Sequence, residues 1–396
     1  MDRGIVYKKF FFIIALAVVF AVLVSIFFLL SKKRTMGPQV LEKAAEFYDS
    51  SHLEPIRMKG PHNEPPATLA DLKSLAADLD LKALGKKNPR IAVCMQDLDP
   101  ENDWSQLQVR GIANTLELFG FEISILTNGE FDNHKQLADY RNILILQPDI
   151  LITIPLDKHL MAPVLQEIAD SGTAIIFMDS TAQAMAPGKD YATLVMADSY
   201  SNAWVGIEIL AQRLNGNGKL ALMHWQNNMF TTDQRSIAAR AASAEHSGLE
   251  VAAELYFSSI ADVEPMTEDL LDEHPDLDGL WVVWDTPALE AVEVIRRRGA
   301  GTLVTTVDLG QEAAHMIGAN DILIGTGAQH PYHQGVAEGL AAVLIAGGIA
   351  PPPFVLVPGE KVTSETLEVA WRNIFQKELQ LSSTSGDGFE HGSFSE

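Results

Sequence analysis

The segments AIIFMD (residues 174–179) and LVTTVD (residues 303–308) decide the fold of this chain. Each is a short apolar run that ends at an aspartate, and this pattern is typical of a buried parallel strand. In open α/β sheets, ligands bind outside the carboxyl ends of such strands. The two runs fall in separate halves of the chain. We therefore expect Asp179 and Asp308 to face one small polar molecule from two sides.

Strand-like and helix-like stretches alternate from Arg90 onward, which predicts parallel sheets covered by helices on both faces. Ten strands are more than one sheet holds comfortably, and the series divides near Asp198. We therefore predict an α/β fold with two Rossmann-like lobes. The predicted strands are RIAVCM (90–95), EISILT (122–127), ILITIP (150–155), AIIFMD (174–179), ATLVMA (192–197), KLALMH (219–224), LEVAAELY (249–256), LDGLWVVWD (277–285), LVTTVD (303–308) and DILIGTG (321–327).

Composition and charge exclude several classes of partner. With 47% hydrophobic and 20% charged residues, 396 residues suffice for one or two globular cores. A formal net charge of −23 repels phosphate groups, so nucleic acids and anionic lipid surfaces are disfavoured as partners. The single cysteine, Cys94, cannot form an intramolecular disulfide or a thiolate metal cluster.

The two ends of the chain differ from its middle. Residues 10–30 are uncharged and flanked by lysines, and a helix of about 20 apolar residues crosses a bilayer. No small-residue cleavage site follows, so we interpret residues 1–34 as an uncleaved signal anchor with a transmembrane helix, while a removed signal peptide remains the alternative. Residues 35–89 have prolines and a glycine between two short amphipathic stretches and are predicted to be a stalk or adaptor. Residues 377–396 are predicted to be a disordered tail.

Four stretches, in this order, resemble the type I periplasmic sugar-binding proteins of the ribose-binding class. The resemblance extends over about residues 90–375 and implies two lobes joined by three hinge strands, with residues 90–197 and 330–355 in the first lobe and residues 198–329 and 356–376 in the second. LacI-type repressors share this fold, but they carry an amino-terminal helix-turn-helix where this chain has an apolar segment. The four stretches are QPDILITIPLDKHLMAPVLQEIADSGTAIIFMDS (147–180), VWDTPALEAVEVIRRRG (283–299), VTTVDLGQEAAHMIGAND (304–321) and GTGAQHPYHQGVAEGLAAVLIAG (325–347).

The resemblance also implies ligand contacts from both lobes. Strand-end aspartates would accept hydrogen bonds from ligand hydroxyls, a glutamine would reach the ligand from the hinge, and Trp104 would offer a flat face to a sugar ring. Helix capping or core packing is the alternative role for these side chains. The implied residues are Asn102, Asp103, Trp104, Asp179 and Ser180 in the first lobe, and Trp284, Asp285, Asp308, Gln329 and either Asp233 or Arg235 in the second.

Two departures from the ribose-binding pattern bear on the ligand. Ser180 stands where that pattern has an arginine, and Trp284 stands where it has an asparagine. The pocket is therefore expected to be rich in carboxylates. We hypothesise that its ligand is a sugar, a polyol or an amino sugar or other cationic-leaning solute rather than ribose.

The sequence carries no pattern that predicts catalysis or a cofactor. No nucleophile elbow, metalloprotease helix or complete nucleotide-binding loop occurs, and His330 and His333 lack neighbouring ligands for a metal. Two partners remain open, an ABC permease that accepts the ligand or a membrane sensor such as a receptor kinase or chemotaxis protein. Both place the folded part in the periplasm or outside the cell, on a single-pass anchor in the cytoplasmic membrane.

Overall fold

The computed structural model describes residues 57–99, 103–226 and 229–379. Within these ranges no helix is long and apolar enough to span a membrane. The transmembrane helix predicted at residues 10–30 lies outside the described residues, as do residues 35–56 of the predicted stalk and residues 380–396 of the predicted tail.

The first lobe is built on a parallel sheet of seven strands in the order β1-β12-β6-β5-β4-β2-β3. Its central strands are apolar because helices cover both faces of the sheet. The five strands predicted for this lobe are confirmed, and β1 and β12 were not predicted. The strands are β1 Ala67–Thr68, β2 Ile91–Met95, β3 Ile123–Asn128, β4 Ile150–Thr153, β5 Ala174–Met178, β6 Thr193–Ala197 and β12 Phe354–Val357.

The second lobe has a six-stranded sheet in the order β13-β11-β10-β9-β7-β8. All its pairings are parallel except that of β13 with β11, which is antiparallel. The five predicted strands are again confirmed, and only β13 was not predicted. The strands are β7 Gly218–Trp225, β8 Leu249–Phe257, β9 Gly279–Val282, β10 Leu303–Val307, β11 Leu323–Ala328 and β13 Glu360–Thr363.

Helices separate most consecutive strands, as expected for a doubly wound fold. A short 3-10 helix, Ile260–Asp262, precedes α8. The α-helices are α1 Leu69–Ala77, α2 Leu81–Leu84, α3 Asp103–Leu118, α4 Asn133–Leu146, α5 Ala162–Asp170, α6 Ser199–Arg213, α7 Phe230–Glu245, α8 Val263–Glu273, α9 Asp285–Arg298, α10 Gln311–Ala319, α11 Pro331–Gly347 and α12 Leu367–Phe375.

The chain crosses between the lobes three times. It leaves the first sheet after β6 at Asp198, returns after β11 at Gln329, and leaves again between β12 and β13. The third crossing follows Val357 rather than residue 355, because β12 stays paired with β6 up to that residue. Glycine suits position 359 at this crossing, since a Cβ atom there would lie 1.6 Å from Oδ1 of Asn202 and 2.7 Å from the backbone carbonyl oxygen of Ala328.

Residues 57–89 pack against the first lobe. Strand β1 adds to the edge of its sheet beside β12, and α1 buries Leu69 and Leu72. Thr68 begins this helix with a capping box, in which its hydroxyl accepts from the backbone N–H of Asp71 while the Asp71 carboxylate accepts from that of Thr68. These residues therefore belong to the first lobe in the structure. The predicted stalk is therefore shortened to residues 35–56, which lie outside the described residues.

Candidate ligand-binding cleft

The two aspartates that end β5 and β10 share an unusual backbone. Asp179 has φ 50° and Asp308 has φ 74°, both in the left-handed region. Aspartate tolerates this region better than most residues, but the conformation still costs about 1–3 kcal/mol and persists where its surroundings enforce it. Such strained residues concentrate at functional sites. Both aspartates stand at the carboxyl ends of their sheets, where α/β folds bind ligands.

Asp308 is held by a cation and an amide. The guanidinium of Arg235 donates from Nη1 to Oδ2 of Asp308 at 3.0 Å and from Nη2 to Oδ1 at 3.2 Å. Gln329 donates a further hydrogen bond to Oδ1. Arg235 is 4% exposed and also donates to the carbonyl of Val283 at 3.0 Å. The Asp308 carboxylate is thus fixed in orientation, and its charge is matched by the bidentate pair.

The carboxylate of Asp179 accepts hydrogen bonds from amide groups. Gln334 donates from Nε2 to both carboxylate oxygens, at 3.1 and 3.2 Å, and the backbone N–H of Ala197 donates to Oδ1 at 3.3 Å. The residue is only 6% exposed. Burial raises the pKa of Asp179 to about 6, although these hydrogen bonds and the charge of Arg235 oppose the shift.

Asp285 is a third carboxyl group near the same guanidinium. It begins α9 and accepts from the backbone N–H groups of Gly310 at 2.7 Å and Thr286 at 2.8 Å. Burial, followed by the negative charge of Asp308, raises the pKa of Asp285 to about 6. Arg235 therefore lies near several carboxyl groups, and among the described residues Asp308 is the one that forms a direct ion pair with it.

The lobes contact each other beside Asp179. The hydroxyl of Thr231, in the first turn of α7, donates to the backbone carbonyl of Asp179 at 3.3 Å. Phe230, the residue before it, packs against the apolar core of the first lobe. Helix α7 thus spans the cleft at its amino end and supplies Arg235 to the cleft one turn later.

Helix α7 also distinguishes the two arginine-position alternatives left open by the sequence. Arg235 is buried and contacts Asp308, whereas Asp233 is exposed in the first turn of the helix. The alignment with the two-residue shift is therefore the one that the geometry favours. Five predicted residues lie close together near the carboxyl ends of the strands of the two sheets. They are Asp179, Arg235, Asp285, Asp308 and Gln329.

Among the remaining predicted residues, Trp284 has packing contacts within the second lobe. The Trp284 ring packs against Trp225 and Phe257, with centroid distances of 5.3 and 5.2 Å, which corresponds to the packing alternative. Trp104 is half-buried in the first turn of α3, and Ser180 is half-buried after Asp179. Asn102 lies outside the described residues, and Asp103 is described only as the first residue of α3.

The sequence reasoning missed two buried polar residues on α11. Gln334 and Glu338 are fully buried and lie four residues apart in a largely apolar helix. Polar residues at this spacing share one helix face, and that pattern was visible in the quoted stretch around residues 325–347. Their role depends on Asp179, which lies 155 residues before Gln334.

The two lobes, their three crossings and the facing strand ends match a known domain. A family model described as a periplasmic binding protein domain matches residues 91–348, which is more than half of the chain. The chain belongs to this family. The predicted resemblance is therefore confirmed, and the two parallel α/β sheets are those of a periplasmic binding protein.

Two curated members of the periplasmic binding protein family are similar to this chain. The D-ribose/D-allose-binding protein of Pseudomonas aeruginosa is 24% identical over 226 residues, which are 56% of this chain and 70% of that protein. The ribose import binding protein of Bacillus subtilis is 24% identical over 227 residues, again 56% of this chain and 70% of that protein.

Solved structures confirm the fold. A periplasmic ribose ABC transporter protein from Conexibacter woesei superposes with a TM-score of 0.66 at 19% identity, covering 72% of this chain and 97% of that one. An ABC transporter solute binding protein from Bacillus halodurans, solved with bound myo-inositol, superposes with a TM-score of 0.62 at 21% identity, covering 72% and 98%.

Proposed function

We propose that this periplasmic binding protein holds a sugar or polyol-like ligand between its two lobes, outside the cytoplasmic membrane, and delivers it to an ABC transporter. The observation that carries the proposal is the pair of strand-end aspartates, Asp179 and Asp308, presented from opposite lobes beside one hinge. The names of the relatives support the ligand class, since they include ribose, allose and myo-inositol binders.

The arrangement suits a ligand with several hydroxyl groups. A carboxylate accepts hydrogen bonds from two neighbouring hydroxyls, and a hydrogen bond to a charged group contributes about 1.5–3 kcal/mol. Asp308 is already paired with Arg235, and the raised pKa values of Asp179 and Asp285 lower the negative charge of the cleft near pH 6. The cleft is therefore less anionic than its count of carboxyl groups suggests. This balance favours a neutral polyol or sugar over an amino sugar.

Isothermal titration of the full-length chain tests this proposal. We expect D-allose, D-ribose or myo-inositol to bind more tightly than glucosamine, and Asp308→Asn and Asp179→Asn to weaken that binding by at least tenfold. Asp269→Asn, at an exposed position of α8 in the second lobe, is the matched control and is expected to bind as the parent chain does. Tighter binding of glucosamine would contradict the neutral-ligand preference. Unchanged binding by both cleft variants would contradict the site.

We further propose that residues 10–30 anchor the protein in the cytoplasmic membrane as a single uncleaved span. The support is the length and apolar character of the run and the extracytoplasmic role of the family. A reporter fused after Phe375 is expected to be active only when it functions outside the cytoplasm. Activity of a cytoplasmic reporter at that position would contradict the proposed location.

A sensing role is the second candidate, and two contacts of Arg57 favour it. The backbone N–H of Arg57 donates to Oδ2 of Asp198 at 3.3 Å, and its guanidinium lies 4.3 Å from the ring centroid of Trp204. Asp198 is the first crossing between the lobes, and Trp204 lies on α6 of the second lobe, while Met58 is in the core of the first lobe. The segment that leads toward the predicted anchor thus touches the hinge.

The genes adjacent to this one can distinguish delivery to a transporter from a sensing role. Adjacent permease and ATPase genes would support delivery to a transporter. An adjacent histidine kinase or chemotaxis receptor gene, without a permease, would support sensing through the segment that contains Arg57.

A further inference from the structure

A row of buried polar side chains lies behind Asp179. Gln334 and Glu338 are one turn apart on α11, and Gln108 faces them from α3. All three are fully buried. Buried polar groups in folded proteins are almost always hydrogen-bonded, so each donor and acceptor in this row requires a partner.

Each amide nitrogen in the row donates a hydrogen bond, but three acceptor oxygens remain. Gln334 donates to both oxygens of Asp179, and Nε2 of Gln108 donates to Oε1 of Glu338 at 3.2 Å. Among the described residues, no donor reaches Oε1 of Gln334, Oε1 of Gln108 or Oε2 of Glu338. Three buried acceptor oxygens therefore lie in one row without a donor between them.

The helix crossing beside the row is too close for much solvent. A Cβ atom on Gly335 would lie 2.0 Å from the carbonyl oxygen of Gln108, and one on Gly111 would lie 2.2 Å from that of Tyr332. A bridging water needs room for its own volume and two to four polar partners. At such a crossing, a proton on the Glu338 carboxyl group needs less space than a bridging water and can serve as the donor.

We propose that Glu338 is a neutral, protonated acid that donates its O–H to the amide oxygen of Gln334 and so keeps the amide nitrogen of Gln334 directed at Asp179. The donation then runs in one direction, from Gln108 to Glu338, from Glu338 to Gln334 and from Gln334 to Asp179. An O–H donor on Oε2 of Glu338 that is directed at Oε1 of Gln334 gives both of these atoms a partner, which are two of the three acceptors. Glu338 is thus a positioning residue, which acts on the ligand site through Gln334.

The charges around Glu338 agree with this protonation. Burial, and then the negative charge of Asp179, raise the pKa of Glu338 well above its ordinary value. The side chain that α3 directs at Glu338 is the neutral Gln108, and its hydrogen bond opposes the shift only in part. Two negative charges in this row would repel each other across a medium of low dielectric constant, so the proton is retained.

Infrared spectroscopy of the full-length chain without ligand tests the proton directly. We expect a protonated carboxyl C=O band at neutral pH that is absent from Glu338→Gln and unchanged in Glu122→Gln, a control at an exposed position beyond α3. Isotope exchange into D₂O should shift the band. If Glu338→Gln leaves the protonated carboxyl bands unaltered, Glu338 is ionised and the proposal is wrong.

Thermal melting gives an independent test with a defined sign. An acid whose pKa is higher in the folded state binds more protons there than in the unfolded state, so the wild-type chain loses stability as pH rises above the unfolded pKa. Glu338→Gln cannot titrate. The Tm of this variant relative to wild type should therefore increase between about pH 5 and pH 8. A pH-independent difference would overturn the proposal.

The effect on the ligand rests on the proposed function and is measured separately. With D-allose, D-ribose and myo-inositol as probes, Glu338→Ala should raise Kd by about tenfold, because Gln334 loses the group that orients it, and Glu338→Gln should restore most of the affinity. Equal Kd values for all three chains would contradict the positioning role. If no probe binds even the wild-type chain, the proposed function fails, while the infrared and melting results still decide the protonation.

Discussion

Asp179 and Asp308 occupy the same position in two lobes but have different electrostatic surroundings. Each follows a buried parallel strand with a positive φ. Asp308 is paired with a guanidinium, whereas Asp179 receives hydrogen bonds from neutral amides and lies close to a second buried acid. One backbone arrangement therefore presents a carboxylate paired with a cation in the second lobe and a carboxyl group with a raised pKa and only amide donors in the first.

The difference matters for a ligand that both groups contact. The Asp308 carboxylate is paired with Arg235 and also accepts a hydrogen bond from Gln329. Asp179, with a pKa of about 6, changes between acceptor and donor within the physiological range. Ligand hydroxyls in the cleft can thus bind to an ion-paired carboxylate, Asp308, and to a carboxyl group whose protonation changes with pH, Asp179.

Arg235→Ala is expected to produce the largest effect on this comparison. It removes the cation that compensates Asp308 and leaves that carboxylate beside Asp285, so the stability of the second lobe should fall by about 3–5 kcal/mol. Ligand affinity should fall as well. Chemical denaturation at pH 7 measures the loss.

Arg235→Lys is the matched variant, because it keeps the charge but loses the fork that binds both oxygens of Asp308. We expect an intermediate loss. If Arg235→Ala were as stable as the parent chain, the ion pair would contribute nothing and the contrast between the two aspartates would be lost.

Asp179→Asn should show the next largest effect, and its effect depends on pH. Because the folded pKa of Asp179 is raised to about 6, the folded state binds more protons than the unfolded state, and stability falls as pH rises from about 4 to about 6. The variant cannot titrate. Its stability relative to wild type should rise by about 3 kcal/mol over that window and then stay level.

Asp308→Asn is the informative counterpart of Asp179→Asn. It leaves the buried Arg235 without its ion-pair partner, so it should be destabilising across the whole range. Equilibrium unfolding at several pH values measures both variants. Parallel pH profiles for the two would show that the aspartates have equivalent surroundings, contrary to the structure.

The sequence predicted the strands that carry Asp179 and Asp308 better than the contacts that surround the two aspartates. Apolar runs indicated ten strands correctly, and the central strands are continuously apolar because they are buried on both faces. Strands β1, β12 and β13 have two to four residues and were missed because they lie outside any longer apolar run, whereas β4 and β9, of four residues each, lie within longer apolar runs. Isolated short strands become visible only when the sheet that pairs with them is known.

The site was predictable in part for a similar reason. Asp179 and Asp308 follow strands that the pattern marks, so their positions could be anticipated. Gln334 approaches Asp179 through tertiary folding across 155 residues, and no local pattern links the two. The sequence also could not decide whether Asp233 or Arg235 takes the arginine position. The orientation of α7 determines which of the two side chains contacts Asp308.

Gln329→Ala tests how much the amide contributes to holding Asp308, and we expect it to reduce stability less than Arg235→Ala does. It removes one of the donors to Oδ1 of Asp308 but leaves the pair with Arg235 intact. A hydrogen bond to a charged group contributes about 1.5–3 kcal/mol, and water can replace part of it at this half-buried carboxylate. We expect a loss of about 1.5 kcal/mol in unfolding experiments. A loss as large as that of Arg235→Ala would show that the amide, not the cation, holds Asp308.

Thr231→Val tests the contact by which the second lobe reaches Asp179, and it should have the smallest effect. The substitution keeps the branched shape and removes the hydroxyl that donates to the Asp179 carbonyl. At 3.3 Å this is a long hydrogen bond, worth about 0.5–1 kcal/mol. Because it joins the lobes rather than stabilising either one, its loss should favour opening and raise the Kd for a bound sugar by about twofold to fivefold.

Thr231→Ser is the control, since it retains the hydroxyl at the same position. Small-angle scattering without ligand should show a larger radius of gyration for Thr231→Val than for Thr231→Ser. If the two variants scatter and bind alike, the contact does not hold the lobes together, and the first-lobe aspartate is then coupled to the second lobe only through the ligand. In that case Asp179 and Asp308 act as two separate half-sites that the ligand itself brings together.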